Sequence, residues 1–229
     1  PAAVYASAET HHTVLRAAAV LGLGRSAVRE IPVDDRQRLD LAALADRLRV
    51  DRAAGIVPVA VVANAGTTNT GAIDPIRAAG ELAHEYGAWF HVDGAYGLLG
   101  WADERVRPLL DGLQLADSAI VDPHKWLSTP TGIGATFVRD RSILERAFTQ
   151  EPAAYLAAID APAEVEVSSE AMGIHYGDMG VELSAPSRGA SVWAALLALG
   201  REGIAARVRE DRDLAAYLGI VLCTCLARY

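Results

Sequence analysis

Along this chain, apolar positions recur at two periods, and the switching between them predicts an α/β fold. Residues 4–7 read as a short strand, followed by a helical stretch over 12–21 that stops at Gly22 and Gly24. Residues 27–33 alternate as a second strand. Asp40 stands at an expected N-cap, ahead of Leu41, Leu44, Ala45 and Leu48 on one helical face. Residues 56–63 are almost wholly apolar and rich in β-branched side chains, the mark of a strand covered on both faces. Asp74-Pro75 predicts a cap with proline at the first helical position, and Ile76, Ala79, Leu82, Ala83 and Tyr86 continue an inner face. Further strands are expected at 87–92, 116–121 and 134–138, with Asp140 capping a helix to about residue 148. Helical stretches follow at 187–199 and from about 203 to 218. Strands alternating with helices predict a mostly parallel sheet flanked by helices.

Two of these strands end in residues that carry chemistry. Asp122-Pro-His-Lys-Trp-Leu127 follows the apolar run 116–121, which puts Lys125 at a strand end between a histidine and a tryptophan. Desolvation makes a lysine amine nucleophilic, and its usual use is a Schiff base with a carbonyl compound. The alternative is a structural lysine. His91-Val-Asp-Gly-Ala-Tyr96 ends the strand at 87–92 and puts Asp93 at its C-terminal edge. Taken alone, Asp93 also reads as a turn or cap residue. Pyridoxal phosphate, the commonest protein-bound aldehyde, works as an electron sink only while its pyridine nitrogen stays protonated, and a neighbouring carboxylate keeps it so. Lysine and carboxylate at the C-terminal rim of one parallel sheet sit where open α/β sheets bind ligands.

With these motifs in place, the chain resembles the pyridoxal-phosphate-dependent amino acid decarboxylases of fold type I, the group with the aromatic amino acid and glutamate enzymes. The resemblance rests on Ser7-Ala-Glu-Thr-His-His-Thr-Val14, Ala65-Gly-Thr-Thr68, the Asp93 and Lys125 motifs, and more weakly Pro186-Ser-Arg-Gly-Ala-Ser-Val-Trp193. It implies a covalent bond from Lys125 to pyridoxal phosphate and a pairing of Asp93 with the pyridinium nitrogen. His11 would stack on the ring, Thr68 would lie against the cofactor, and His124 and Asp122 would sit near its phosphate. Asp122 departs from the asparagine frequent at that position, so its acidic side chain needs a partner or faces away. Trp126 after the lysine is more typical of the aromatic-type members. Tyr155, in the irregular stretch 149–183, matches a mobile-loop tyrosine that protonates the carbanionic intermediate. His12 and Arg188 stay undecided between site and surface roles; His91 and Trp126 read as packing residues.

The resemblance implies an L-amino acid substrate, an amine and carbon dioxide as products, and a homodimer. Its expected organisation is the central part of the cofactor-binding large domain over 1–203, with 149–183 a mobile loop. Residues 204–229 would be a helical lead into a small domain that is absent. The family's phosphate-cradling turn is expected upstream of Pro1, so the large domain is read as incomplete at both ends. Other fold type I chemistry (transamination, aldehyde formation, desulfuration) and a non-catalytic remnant remain alternatives.

Composition narrows the field further. With 229 residues, just over half of them apolar (52%), the chain has the make-up of a globular α/β protein rather than a disordered one. A net charge of −8 argues against nucleic-acid binding. No apolar run is long enough to span a bilayer and no basic leader precedes one, so a cytoplasmic location is expected. Cys223 and Cys225 form a lone Cys-x-Cys with no matching ligand cluster, so no metal is expected.

Overall fold

The structure, a computed structural model, describes residues 1–149, 176–182 and 184–226. The chain divides into two compact units: Pro1–Phe137 with Gly189–Tyr229, and Val138–Arg188. The strands are β1 (Ala2–Ser7), β2 (Val28–Ile31), β3 (Val57–Asn64), β4 (Trp89–Asp93), β5 (Ser118–Val121) and β6 (Ala135–Val138). They form one sheet in the order β2-β1-β3-β4-β5-β6, and the pairings that join β1 through β5 are all parallel. The expected mostly parallel α/β sheet is therefore present.

The helices are α1 (Thr13–Val20), α2 (Leu41–Ala53), α3 (Ile76–Glu85), the single turn α4 (Pro123–Trp126), α5 (Ser142–Phe148) and α6 (Arg188–Leu226). Leu44 and Leu48 of α2 and Ile76, Ala79 and Ala83 of α3 pack with Tyr5, Val61, Phe90 and Val92 of the sheet in one buried cluster. Full burial of each large apolar side chain contributes about 1.5–3 kcal/mol, so this cluster is the main force holding α2 and α3 to the sheet. Asp40 caps α2 as expected, its Oδ1 accepting from Ala42 N at 2.9 Å and Ala43 N at 3.1 Å.

Asp74 corrects an expectation. Pro75 takes the cap position of α3, while Asp74 is buried and turns inward. Its carboxylate accepts from Leu39 N (2.7 Å), Asn64 N (2.7 Å) and Asn64 Nδ2 (2.8 Å). Three donors from elsewhere in the sheet layer outweigh the local helix N–H groups. Burial pushes the Asp74 carboxyl upward, against the pull of those hydrogen bonds. The stretch between Asp93 and β5, unassigned from sequence, forms three short 3-10 turns, Gly97–Ala102, Arg107–Leu110 and Leu113–Leu115.

α6 breaks at Gly200, whose φ of 60° lies in the left-handed region, matching the two helices expected there. Beyond the break it is helical through residues 203 and 204. Ala205 and Val208 are buried, and two arginines fasten this half to the sheet layer. Arg207 donates to Trp126 O at 3.4 Å and Ser128 Oγ at 3.2 Å. Arg212 donates to buried Asp103 at 2.8 Å, while Arg105 bridges Asp103 and Asp213. In the second unit, Asp140 Oδ1 accepts from Ser142 N at 2.9 Å at the start of α5, and Arg188 is paired with Glu182. Among the described residues no helix is long and apolar enough to cross a membrane.

Candidate active site

Because β1, β3, β4 and β5 run parallel, their C-terminal ends Ser7, Asn64, Asp93 and Val121 lie along one rim. Asp93 closes β4, in register with Asn64 of β3 and Ile120 of β5. Phe90 and Val92 face the core, so Trp89, His91 and Asp93 share the opposite face. Asp93 is half-buried, and its Oδ1 accepts from Ala95 N at 3.1 Å. The glycines beside it are there for close approach. A Cβ on Gly94 would stand 2.4 Å from Leu98 Cβ, and one on Gly97 would stand 2.2 Å from Ala65 O. Gly97 N instead donates to that carbonyl at 2.9 Å, which brings the Asp93 segment against the turn after β3.

Lys125 lies in α4, directly after β5. The side chain is 37% exposed rather than desolvated, and Nζ lies 3.1 Å from Asp122 Oδ2. Asp122 thus faces its partner rather than turning away. His124 Nε2 is 3.8 Å from the same oxygen, and His124 Nδ1 lies 2.8 Å from Ile133 O, so Nδ1 carries the hydrogen. Asp122 N donates to Ala95 O at 3.1 Å, a direct backbone link between the Asp93 and Lys125 motifs. Tyr96 and Trp126 make a second link, packing edge to face with centroids 5.3 Å apart.

His11 sits in the turn between β1 and α1, half-buried, with Nδ1 2.8 Å from Thr13 Oγ1. His12 is exposed at the α1 cap position, its ring 4.2 Å from that of His11. The two threonines after β3 divide. Thr67 is buried, bonded to Thr70 Oγ1 at 2.8 Å and accepting from Ala72 N at 3.1 Å, whereas Thr68 is exposed. Asn69 Nδ2 donates to Glu9 Oε2 at 3.0 Å and so ties the Thr68 turn to the His11 turn. His91 is held by Ser118 Oγ at 2.7 Å, and burial keeps its imidazole below the usual histidine range. Tyr155 lies outside the described residues. Sequence reasoning missed Asn64 and Arg207. A polar residue closing an apolar strand was the available signal for Asn64; none marked Arg207.

A carboxylate and an amine thus stand at the C-terminal ends of neighbouring parallel strands, the edge at which open α/β sheets generally bind ligands. Residues 2–223 match the family described as the pyridoxal-dependent decarboxylase conserved domain, and the chain belongs to that family. It is 34% identical to the aromatic-L-amino-acid decarboxylase of Bacillus atrophaeus, over 95% of this chain and 45% of that protein. It is likewise 34% identical to the cysteine sulfinic acid decarboxylase of Mus musculus, over 95% and 43%. Among solved structures, mouse CSAD superposes with a TM-score of 0.82 at 32% identity, covering 95% of this chain and 43% of that one. Oryza sativa TDC with PLP and tryptamine gives 0.82 at 31%, covering 92% and 42%. The chain spans under half the length of the relatives it matches. The family's cofactor is pyridoxal phosphate.

Proposed function

We propose that this chain carries the cofactor-binding centre of an enzyme that decarboxylates an L-amino acid with an aromatic side chain, with pyridoxal phosphate held covalently on Lys125. One observation carries the reading: the Asp93 and Lys125 motifs end adjacent parallel strands and are tied together by the Asp122 N–Ala95 O hydrogen bond of 3.1 Å. The donor set fits the cofactor. Lys125 offers an amine, Asp93 a half-buried carboxylate for the ring nitrogen, and His11, Thr68 and His124 offer imidazole and hydroxyl groups around the same rim. Relatives named aromatic-L-amino-acid and tryptophan decarboxylases support the aromatic side chain, beside others named for cysteine sulfinic acid and aspartate.

When bound, pyridoxal phosphate supplies an electron sink for negative charge developing at the substrate Cα. Lys125 would hold it through its amine, the group an incoming amino acid would replace. Asp93 keeps the ring nitrogen protonated, which is what makes the sink deep. His11 would cover the ring and orient the substrate carboxylate, Thr68 would lie against the cofactor, and His124 and Asp122 would stand toward the phosphate. Which bond breaks is set by which bond the site holds perpendicular to the ring. A carboxylate so held would leave as carbon dioxide, and Tyr155 would deliver the proton to Cα. The product is the amine. As part of the same reading, the enzyme works as a cytoplasmic homodimer.

The test is product analysis. Protein supplied with pyridoxal phosphate and an aromatic L-amino acid is expected to release carbon dioxide and the amine in equal amounts, and Lys125→Ala to release neither. A keto acid or sulfide as main product would move the chain to another reaction of the same cofactor.

A further inference from the structure

Asn64 closes β3 almost without exposure, at 2%. A buried amide costs free energy unless its hydrogens are used. Here Nδ2 donates to Asp74 Oδ2 at 2.8 Å and to Thr10 Oγ1 at 2.9 Å, with Ser7 Oγ at 3.2 Å as a shared third partner. Ser7 Oγ and Thr10 Oγ1 are 3.3 Å apart, so the four side chains form one cluster. Asp74 fixes the amide from behind, because the same Oδ2 also accepts from Asn64 N at 2.7 Å. In the backbone, Asp74 N donates to Asn64 O at 2.9 Å, which pins both ends of the excursion bearing Thr68. On its other side Asn64 is in register with Asp93, and Ala65 N donates to Asp93 O at 2.8 Å.

The buried amide therefore reaches the turn before His11 and, through Asp74, the end of the excursion with Thr68, while the backbone of Asn64 lies in register with Asp93 on the neighbouring strand. We propose that Asn64 is a positioning residue, whose amide, braced by Asp74, sets the Ser7–Thr10 turn and through it the place of the His11 ring relative to Asp93. It touches no reacting atom. A cluster serving stability alone has no need to end on the residue next to His11. The functional consequence rests on the reading that His11 covers the cofactor.

The experiment uses two variants at the far end of the cluster. Thr10→Val removes the acceptor while keeping the shape, and Thr10→Ser keeps the hydroxyl. Three quantities are read: the melting temperature, the His11 ring resonance in cofactor-free protein labelled with carbon-13 histidine (assigned with His11→Gln), and the dissociation constant for pyridoxal phosphate. Thr10→Val is expected to melt within a few degrees of the parent, to shift the His11 resonance, and to bind pyridoxal phosphate about five- to tenfold more weakly, the worth of one hydrogen bond. Thr10→Ser is expected to behave as the parent. Asn64→Asp sets a second carboxylate against Asp74 and is expected to lose more cofactor affinity than Thr10→Val. An unmoved His11 resonance in Thr10→Val, or a Thr10→Ser as impaired as Thr10→Val, overturns the proposal. If the resonance moves as expected but the parent itself fails to bind the cofactor, positioning by Asn64 stands and the functional reading of Lys125 falls.

Discussion

Asp122 and Lys125 form an ion pair across one turn, with Oδ2 3.1 Å from Nζ. The amine assigned to the cofactor is thus held by a carboxylate three residues earlier, and it must leave that carboxylate and shed a proton before it can attack an aldehyde. Replacing Asp122 by Asn removes both the hold and a negative charge near the proposed phosphate position. Asp122→Asn is expected to capture pyridoxal phosphate up to about fivefold faster, since a partly exposed pair is worth roughly 0–1 kcal/mol. Stopped-flow absorbance on mixing with the cofactor measures it. A slower capture would make Asp122 an aid to Lys125 rather than a restraint.

Asp93→Asn keeps the size and the hydrogen bond available to Ala95 N, so the fold is expected to survive. The carboxylate proposed to keep the ring nitrogen protonated is lost. A protonation preference of a few pKa units is worth several kcal/mol at about 1.36 kcal/mol per unit, which predicts a fall in kcat of orders of magnitude. Turnover near that of the parent, measured as carbon dioxide release, would refute the role.

The sheet was legible because its strands leave an apolar signature, clearest in β3. Yet β3 is covered on both faces only over its second half: Val57 and Val59 are exposed, and β4 buries alternate residues. The rim was legible because Asp93 and Lys125 interrupt that signature at strand ends. Asp74 was misread because an Asp-Pro pair ahead of an apolar run is a sound cap signal, and only the fold brings Leu39 N and Asn64 to it. The exposure of Lys125 was likewise hidden: the strand before it is buried, but α4 turns the side chain out beside Asp122. Nothing local in the sequence tells that Arg207 meets Ser128 or that Arg212 meets Asp103, because those contacts join positions far apart in the chain.

Asp103 predicts an acid sensitivity. It is 1% exposed, and the Arg105 guanidinium first, then Arg212, hold its carboxyl well below the usual carboxylate range. A group whose folded pKa is depressed contributes stability above its unfolded value, near 3.9, and loses it as pH falls toward the folded value. Melting temperature measured from pH 7 down to about pH 2 should therefore fall steeply below about pH 4 in the parent. Asp103→Asn is expected to start lower at neutral pH and to fall less in that window. Parallel curves for the two proteins would show that the network adds no such linkage.

For Tyr155 the expected outcome is a change of product. If its phenol delivers the proton to Cα, Tyr155→Phe still releases carbon dioxide, but the electron pair left at Cα stays open to oxygen. Aldehyde, hydrogen peroxide and ammonia are then expected under air and not under nitrogen, at the expense of amine. An unchanged ratio of amine to aldehyde would give the proton to another group, with His11 and Lys125 the next candidates.

The most direct measurement is the covalent position of the cofactor. Borohydride reduction of the protein with bound pyridoxal phosphate, followed by proteolysis and peptide mapping, shows whether and where the label is attached. Lys125 is the only lysine in the chain, so label is expected on it, within the peptide that contains Asp122-Pro-His-Lys-Trp126. Label on another residue, or none in folded protein that has taken up the cofactor, would contradict the account at its centre.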